Sequence, residues 1–385
     1  MAKNGYSIFD SDMHIMEPAD LWQRYIDPKF KHVAPVGLER HRRDLAVRVK
    51  DIVIPNSGNI RKPGKVSPSA ERQHEIYAFA EERGWDPPSQ LQAMDREGIE
   101  VAVLFPTRGL FVLGLDAPET AGVRGLEPDL AAAIAHAYND WLADFCQENP
   151  KRLIGAAMVA PHDVEGAVVE TRRCVERFGF KSIFLLPGCV RKRPWHHPYY
   201  DPLWRECERL NVAVGFHEGG LDYLTPDFGF ADVLATHPGT MYHIFSHPVG
   251  PMFALVTMTV GGVFKRFPNL RAGFLEGNCS WAPWIVYRMN EHYEWLGSVE
   301  APELKMKPSE YYKRNCYVSV EADEEPARWY FEALGDDNVL FSSDYPHPDA
   351  KFPNSVENFL RLPFRETTKR KVLWDNCVRF YNLAG

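Results

Sequence analysis

The chain has 385 residues, 45% of them hydrophobic and 13% aromatic, with a formal net charge of −8. That is apolar material for one large core, and the lack of a basic excess argues against nucleic acid as a partner. The longest apolar stretch, Met252 to Phe264, is broken by two Thr and two Gly, so it is too short to span a bilayer and no membrane partner is expected.

The opening Met-Ala-Lys-Asn-Gly-Tyr carries no apolar signal-peptide core, and the seven cysteines stand singly with no CxxC pair. Both features point to buried thiols in a reducing cytoplasm. Residues 7–14, Ser-Ile-Phe-Asp-Ser-Asp-Met-His, read as the first strand, with Glu17 and Pro18 where it must stop. Strand side chains alternate between faces, so Asp10, Asp12 and His14 share one. A plainer reading is an edge strand with His14 in solvent.

Residues 19–87 interrupt the pattern. A helical turn over 21–26, a strand over 45–54 and a Gly/Pro/Asn-rich loop over 55–64 make an excursion too long for a plain connection, which is read as a lid-like insertion. Its aromatics Tyr77, Phe79 and Trp85 wall an apolar pocket or join the core. A helix over 88–97 follows. Strands then fall at 100–106, 153–160, 181–187, 212–217, 270–276, 316–321 and 339–344, and helices at 129–146, 164–178, 203–210, 251–267, 281–296 and 328–334. Runs apolar at nearly every position belong to parallel strands covered on both faces. Eight such units predict an α/β fold, a (β/α)₈ TIM barrel with an insertion after strand one, in a single domain over 1–385. A doubly wound open sheet is the alternative, although no glycine-rich phosphate loop follows strand one.

In such a barrel the catalytic groups sit at the carboxyl ends of the strands. Strand one ends in Asp12 and His14, strand five in His217 and Glu218, strand six in Glu276, strand seven in Glu321 and strand eight in Asp344. Each has a structural explanation alone: an ion pair, a core histidine or, for Asp344, a helix cap. Together they predict a metal site. Imidazole nitrogen mixed with carboxylate oxygen suits zinc or manganese, so the predicted cofactor is one divalent ion on Asp12, His14, His217 and Asp344. Asp344 and Glu276 then handle protons or orient substrate. His247, in Ser246-His247-Pro248, lines the pocket or caps a helix start. Glu17 and His347 are expected to bind substrate, unless His347, so close after Asp344, backs that residue instead, and His162, just past strand three, touches substrate or only its loop. Arg191, opening the basic run 191–193, pairs with a substrate carboxylate or belongs to a solvated loop.

The motifs Asp12-Met13-His14-Ile15-Met16-Glu17-Pro18, His217-Glu218-Gly219-Gly220 and Ser342-Ser343-Asp344-Tyr345-Pro346-His347 carry a resemblance. So do Tyr200-Asp201-Pro202-Leu203-Trp204 and the approach to strand six, Gly262-Val263-Phe264-Lys265-Arg266-Phe267-Pro268-Asn269-Leu270. The chain resembles the amidohydrolase superfamily, in the branch that includes aminocarboxymuconate-semialdehyde decarboxylase and γ-resorcylate decarboxylase. The resemblance implies a distorted barrel, one divalent metal, a homodimer, and metal-binding roles for the strand-one pair, His217 and Asp344.

Two positions depart from that pattern. Strand one carries Asp12 where the best-known members have His or Glu. Strand six ends in Leu275-Glu276-Gly277 where the decarboxylases have a proton-transferring histidine. A glutamate replaces that imidazolium only if burial raises its pKa. The expectation is therefore a metal-dependent hydrolase acting on an amide, lactone or (thio)ester of a small cyclic or aromatic carboxylic compound, with Glu276 available to a second metal. The alternative is a metal-dependent non-oxidative decarboxylase, a carbon–carbon lyase of an aromatic or unsaturated acid. A binding scaffold without catalysis is disfavoured by the intact ligand set.

Overall fold

Strands form where the apolar runs fall: β1 Phe9–His14, β2 Val101–Phe105, β3 Leu153–Met158, β4 Ser182–Leu185, β5 Ala213–His217, β6 Ala272–Leu275, β7 Cys316–Val320 and β8 Val339–Phe341. Every strand residue except Val101 is buried, which is why the runs do not alternate. The computed structural model describes residues 3–40, 44–50, 52–54, 68–110, 112–113, 126–191, 193–217 and 243–383.

The eight strands lie side by side in chain order, each parallel to the next. Helices between them, such as Pro128–Cys146, Val164–Phe178, Asp201–Leu210 and Ala282–Glu300, cover the outside, so the architecture is the expected (β/α)₈ barrel. It is distorted in one place. The register of β1 against β2 shifts between Asp10 and Met13, and no strand pairing joins the described residues of β8 and β1.

Local signals end the helices as the sequence suggests. Asp163 caps Val164–Phe178 by accepting from the amides of Glu165 and Gly166, and Gly179 closes it at φ +74°. The helix expected at 251–267 begins earlier, at His243, and runs through Pro248 and Pro251 to Thr259 before Val263–Arg266 resumes it. Pro251 has no N–H to offer the carbonyl of His247 four residues back. Gly277, just after β6, sits against that carbonyl, where a Cβ would lie 2.7 Å from it. Only glycine lets the helix come so close to the strand end, and this contact brings His247 to the rim.

The insertion forms a three-stranded antiparallel sheet, Val36–Gly37, Val47–Val49 and Ile52–Ile54, followed by a helix over Pro68–Glu81 that the sequence reading missed. That helix opens on eight mostly polar residues and then clusters its apolar ones, so helical periodicity is weak. The loop expected at 55–64 lies outside the described residues. Tyr77 is buried against Tyr345 and Phe352, with centroids 5.7 and 5.4 Å apart, so the insertion packs on the loop that follows β8. No described helix is long and apolar enough to cross a membrane. All seven cysteines are free and only Cys189 is exposed.

Candidate active site

Strand alternation and the barrel's geometry bring β1, β5 and β8 to one point. His14 Nε2 and His217 Nε2 face each other at 3.0 Å. Asp12 Oδ1 lies 3.1 Å from His217 Nε2 and 3.6 Å from His14 Nε2, and Asp344 Oδ1 lies 3.5 Å from His14 Nε2. His14 thus links two sets of converging ligand atoms, Asp12 with His14 and His217, and His14 with Glu276, Asp344 and His347, so three of the four expected ligands meet directly and Asp344 joins them through His14.

The hydrogen-bond inventory shows what they can hold. His14 Nδ1 is 2.7 Å from the carbonyl of Pro106, an acceptor only, so Nδ1 carries the ring proton and Nε2 presents a lone pair. His217 Nδ1 is 3.3 Å from Glu276 Oε2, which places its proton likewise. Two lone pairs at 3.0 Å repel unless a cation lies between them. Among the described residues both Asp12 oxygens and Asp344 Oδ1 are buried without a hydrogen bond, Asp344 keeping only its close approach to His347, and burying carboxylate oxygens so poorly satisfied is costly. Burial, aided by the neighbouring His347, also holds His14 well below the usual imidazole range, so it stays neutral. Neutral imidazoles backed by acceptors on Nδ1, beside unsatisfied carboxylate oxygens, fit a divalent metal ion.

A second layer adjoins this one. His347 lies beside His14 with the rings tilted at 31° and their centroids 3.9 Å apart, and its Nε2 is 3.3 Å from Thr107 Oγ1. Its Nδ1 hydrogen-bonds Glu276 Oε1 at 3.0 Å and lies 2.7 Å from Asp344 Oδ1, off the hydrogen-bonding direction. Burial alone would lower His347, but the Asp344 and Glu276 carboxylates raise it well above the usual imidazole range. Burial pushes Asp344 well up. Burial also works to raise Glu276, yet His217, His347 and His247 together hold it well below the carboxylate range. Glu276 is thus an anion at neutral pH, contrary to the raised pKa a proton-donating role requires. His247 approaches it, with Nε2 3.9 Å from Oε1, and burial lowers that imidazole to about 4. His247 lies inside its helix, not ahead of it. Glu276 and Asp344 both adopt left-handed backbone, at φ +53° and +55°, strained for residues other than glycine and concentrated at this rim.

The other expected site residues make contacts of their own. Glu17 accepts from the backbone amides of Thr107, Arg108 and Gly109 at 2.8–3.3 Å, so its carboxylate anchors the loop after β2 instead of facing substrate. Arg191 reaches the Leu126 carbonyl and lies 3.9 Å from Glu127, at the start of a helix. His162 is buried just past β3, where its carbonyl accepts from the Tyr199 hydroxyl. Glu321, pushed up to about 8 by burial and by Glu324 and Asp349, joins neither group of converging ligand atoms. Glu218 falls outside the described residues. His347, expected to bind substrate, contacts both Glu276 and Asp344, and its spacing three residues after Asp344 is the sequence signal for that contact.

The amidohydrolase family model matches residues 10–383. The 2-amino-3-carboxymuconate-6-semialdehyde decarboxylase of Dictyostelium discoideum is 27% identical over 303 residues, covering 78% of this chain and 77% of that protein. An amidohydrolase structure from Mycobacterium avium subsp. paratuberculosis K-10 superposes with a TM-score of 0.77 at 23% identity, covering 98% of this chain and 100% of that one. The 5-carboxyvanillate decarboxylase of Novosphingobium aromaticivorans DSM 12444, complexed with manganese and 4-hydroxy-3-methoxy-5-nitrobenzoic acid, gives 0.68 at 22% identity, covering 98% and 96%. These findings overturn hydrolysis as the leading expectation. Relatives matching across three quarters of the chain are decarboxylases.

Proposed function

The chain belongs to the amidohydrolase family, and on that premise we propose that it is a metal-dependent, non-oxidative decarboxylase of an aromatic or unsaturated carboxylic acid. The observation that carries this reading is the pairing of two facing imidazole lone pairs with a proton-bearing His347 beside them. Asp12, His14, His217 and Asp344 would hold the ion. Their mixed nitrogen and oxygen donors suit manganese or zinc, and the manganese in the carboxyvanillate enzyme favours the former. Once bound, the ion supplies a positive centre that orients substrate oxygens and stabilises charge.

Decarboxylation breaks the carbon–carboxylate bond, leaves the electron pair on carbon and consumes one proton there. His347 holds such a proton, and Glu276 fixes its ring through Nδ1. The strand-eight loop thus supplies the imidazolium that the decarboxylases carry on strand six. His247 backs Glu276 from the other side. Buried aromatic rings exclude water from the ligand cluster: Phe105 stacks on His217 at 5.2 Å, and Phe184 lies at 6.2 Å. The insertion over 19–87, touching the loop after β8 through Tyr77, is the proposed lid.

Two coarser expectations join this reading. Free, mostly buried thiols suit a reducing cytoplasm. The helix Ala282–Glu300 exposes Trp284, Tyr287, Trp295 and Val299, a face suited to a second copy of the chain; a Trp295→Glu protein sedimenting identically to wild type would count against it.

Carbon dioxide release by manganese- or zinc-loaded protein, across a panel of hydroxybenzoates and conjugated dicarboxylates, tests the function. No release from any member, with metal shown to be bound, would overturn it.

A further inference from the structure

The strongest unassigned feature is the seam between the first and last strands. The bulge in β1 at Ser11–Asp12 takes the Asp12 amide out of ladder pairing with β2, and no strand pairing joins β8 to β1. Buried amides need acceptors. Asp10, itself fully buried, supplies one: its Oδ1 accepts from the Asp12 amide at 3.1 Å and from the Ser343 amide at 3.2 Å. One oxygen atom thus ties the backbone of Asp12 to the residue preceding Asp344.

Neighbouring bonds run along the same seam. Ser11 Oγ donates to the Phe341 carbonyl at 2.7 Å, Ser342 Oγ to the Asp12 carbonyl at 3.1 Å, and the His14 amide to the Tyr345 carbonyl at 2.6 Å. The left-handed backbone of Asp344 persists only if its surroundings hold it, and the Ser343 amide is the first anchor before it.

We infer that Asp10 is a positioning residue that sets the separation of the Asp12 and Asp344 carboxylates, and thereby the affinity of the site for its metal. Asp10 belongs to neither set of converging ligand atoms, so it acts through the backbone it holds. This inference rests on the metal reading above.

The test is manganese(II) binding to metal-free protein, followed through the paramagnetic resonance signal of the free ion, for wild type, Asp10→Ala and Asp10→Asn. Asn places an amide oxygen where the carboxylate oxygen stood. Losing a group that supports ligands costs about ten- to a hundredfold in metal affinity, the drop expected for Asp10→Ala, with Asp10→Asn within about threefold of wild type. A merely structural role would lower the melting temperature of Asp10→Ala and leave its affinity unchanged, which would overturn the inference. So would a loss of about tenfold in folded Asp10→Asn, because charge and not geometry would then be the cause. Should Asp10→Ala fail to fold, Asp10→Ser takes its place under the same criterion. Wild-type protein that takes up neither manganese nor zinc would refute the metal reading itself, and this inference with it.

Discussion

Replacing His347 with Gln separates the proton-handling reading from any purely structural one. The Gln side chain has about the reach of His347 and keeps one N–H for Glu276, but it cannot carry a mobile proton. His347 Nδ1 lies 3.0 Å from Glu276 Oε1 and 2.7 Å from Asp344 Oδ1, and only the first is a hydrogen bond, so one charge-assisted hydrogen bond and one ion-pair approach are weakened. That costs about 1.5–3 kcal/mol, against a total stability of about 5–15 kcal/mol, and the variant should fold and hold metal. The loss in rate is larger. A positioned proton donor contributes about 10²- to 10⁴-fold, equal to about 3–5 kcal/mol in the barrier. The assay is carbon dioxide release normalised to bound metal, alongside thermal unfolding. The expected result is kcat reduced by that factor with metal content unchanged. A folded, metal-loaded His347→Gln with kcat within about threefold of wild type would refute the assignment.

Two further outcomes follow from the same geometry. Protein purified without added metal should carry about one equivalent of manganese or zinc, and His217→Ala and Asp344→Ala should carry none. Metal at about a hundred times its Kd should stabilise wild type by about 2.7 kcal/mol, an upward shift in melting temperature absent from both variants; equal shifts in all three would sink the ligand assignment. Away from the site, burial pushes Glu170 up, but hydrogen bonds from His136, Arg173 and Asn139 outweigh it and hold the carboxyl down at about 2, against 4.5 ordinarily. A depressed carboxyl contributes stability that is complete above the unfolded value and lost as pH falls from about 4.5 through about 2, worth about 3 kcal/mol. Glu170→Gln should therefore flatten acid unfolding in that window, and an unchanged profile by circular dichroism would show that the network contributes nothing.

Much of the fold was legible because parallel strands buried on both faces must be apolar throughout, so Val101–Phe105 or Ile183–Leu185 announce themselves without tertiary information. The positions of the candidate ligands were legible for a related reason. Alternation along β1 puts Asp12 and His14 on one face, and polar residues ending apolar runs, as at His217 and Asp344, have few structural excuses. Those signals are local, set by spacing and by what a strand can bury.

What only the tertiary structure decided was pairing. Whether Glu276 is an acid or an anion depends on His217, His347 and His247, which come from three other parts of the chain. Whether Glu17 faces substrate depends on three amides from the loop after β2 that happen to reach it. Asp10 read as one more carboxylate in a ladder, and its place at the seam appears only where β1 and β8 meet. A pKa and a hydrogen-bond partner are properties of an environment assembled from residues far apart in sequence, and no local pattern encodes them.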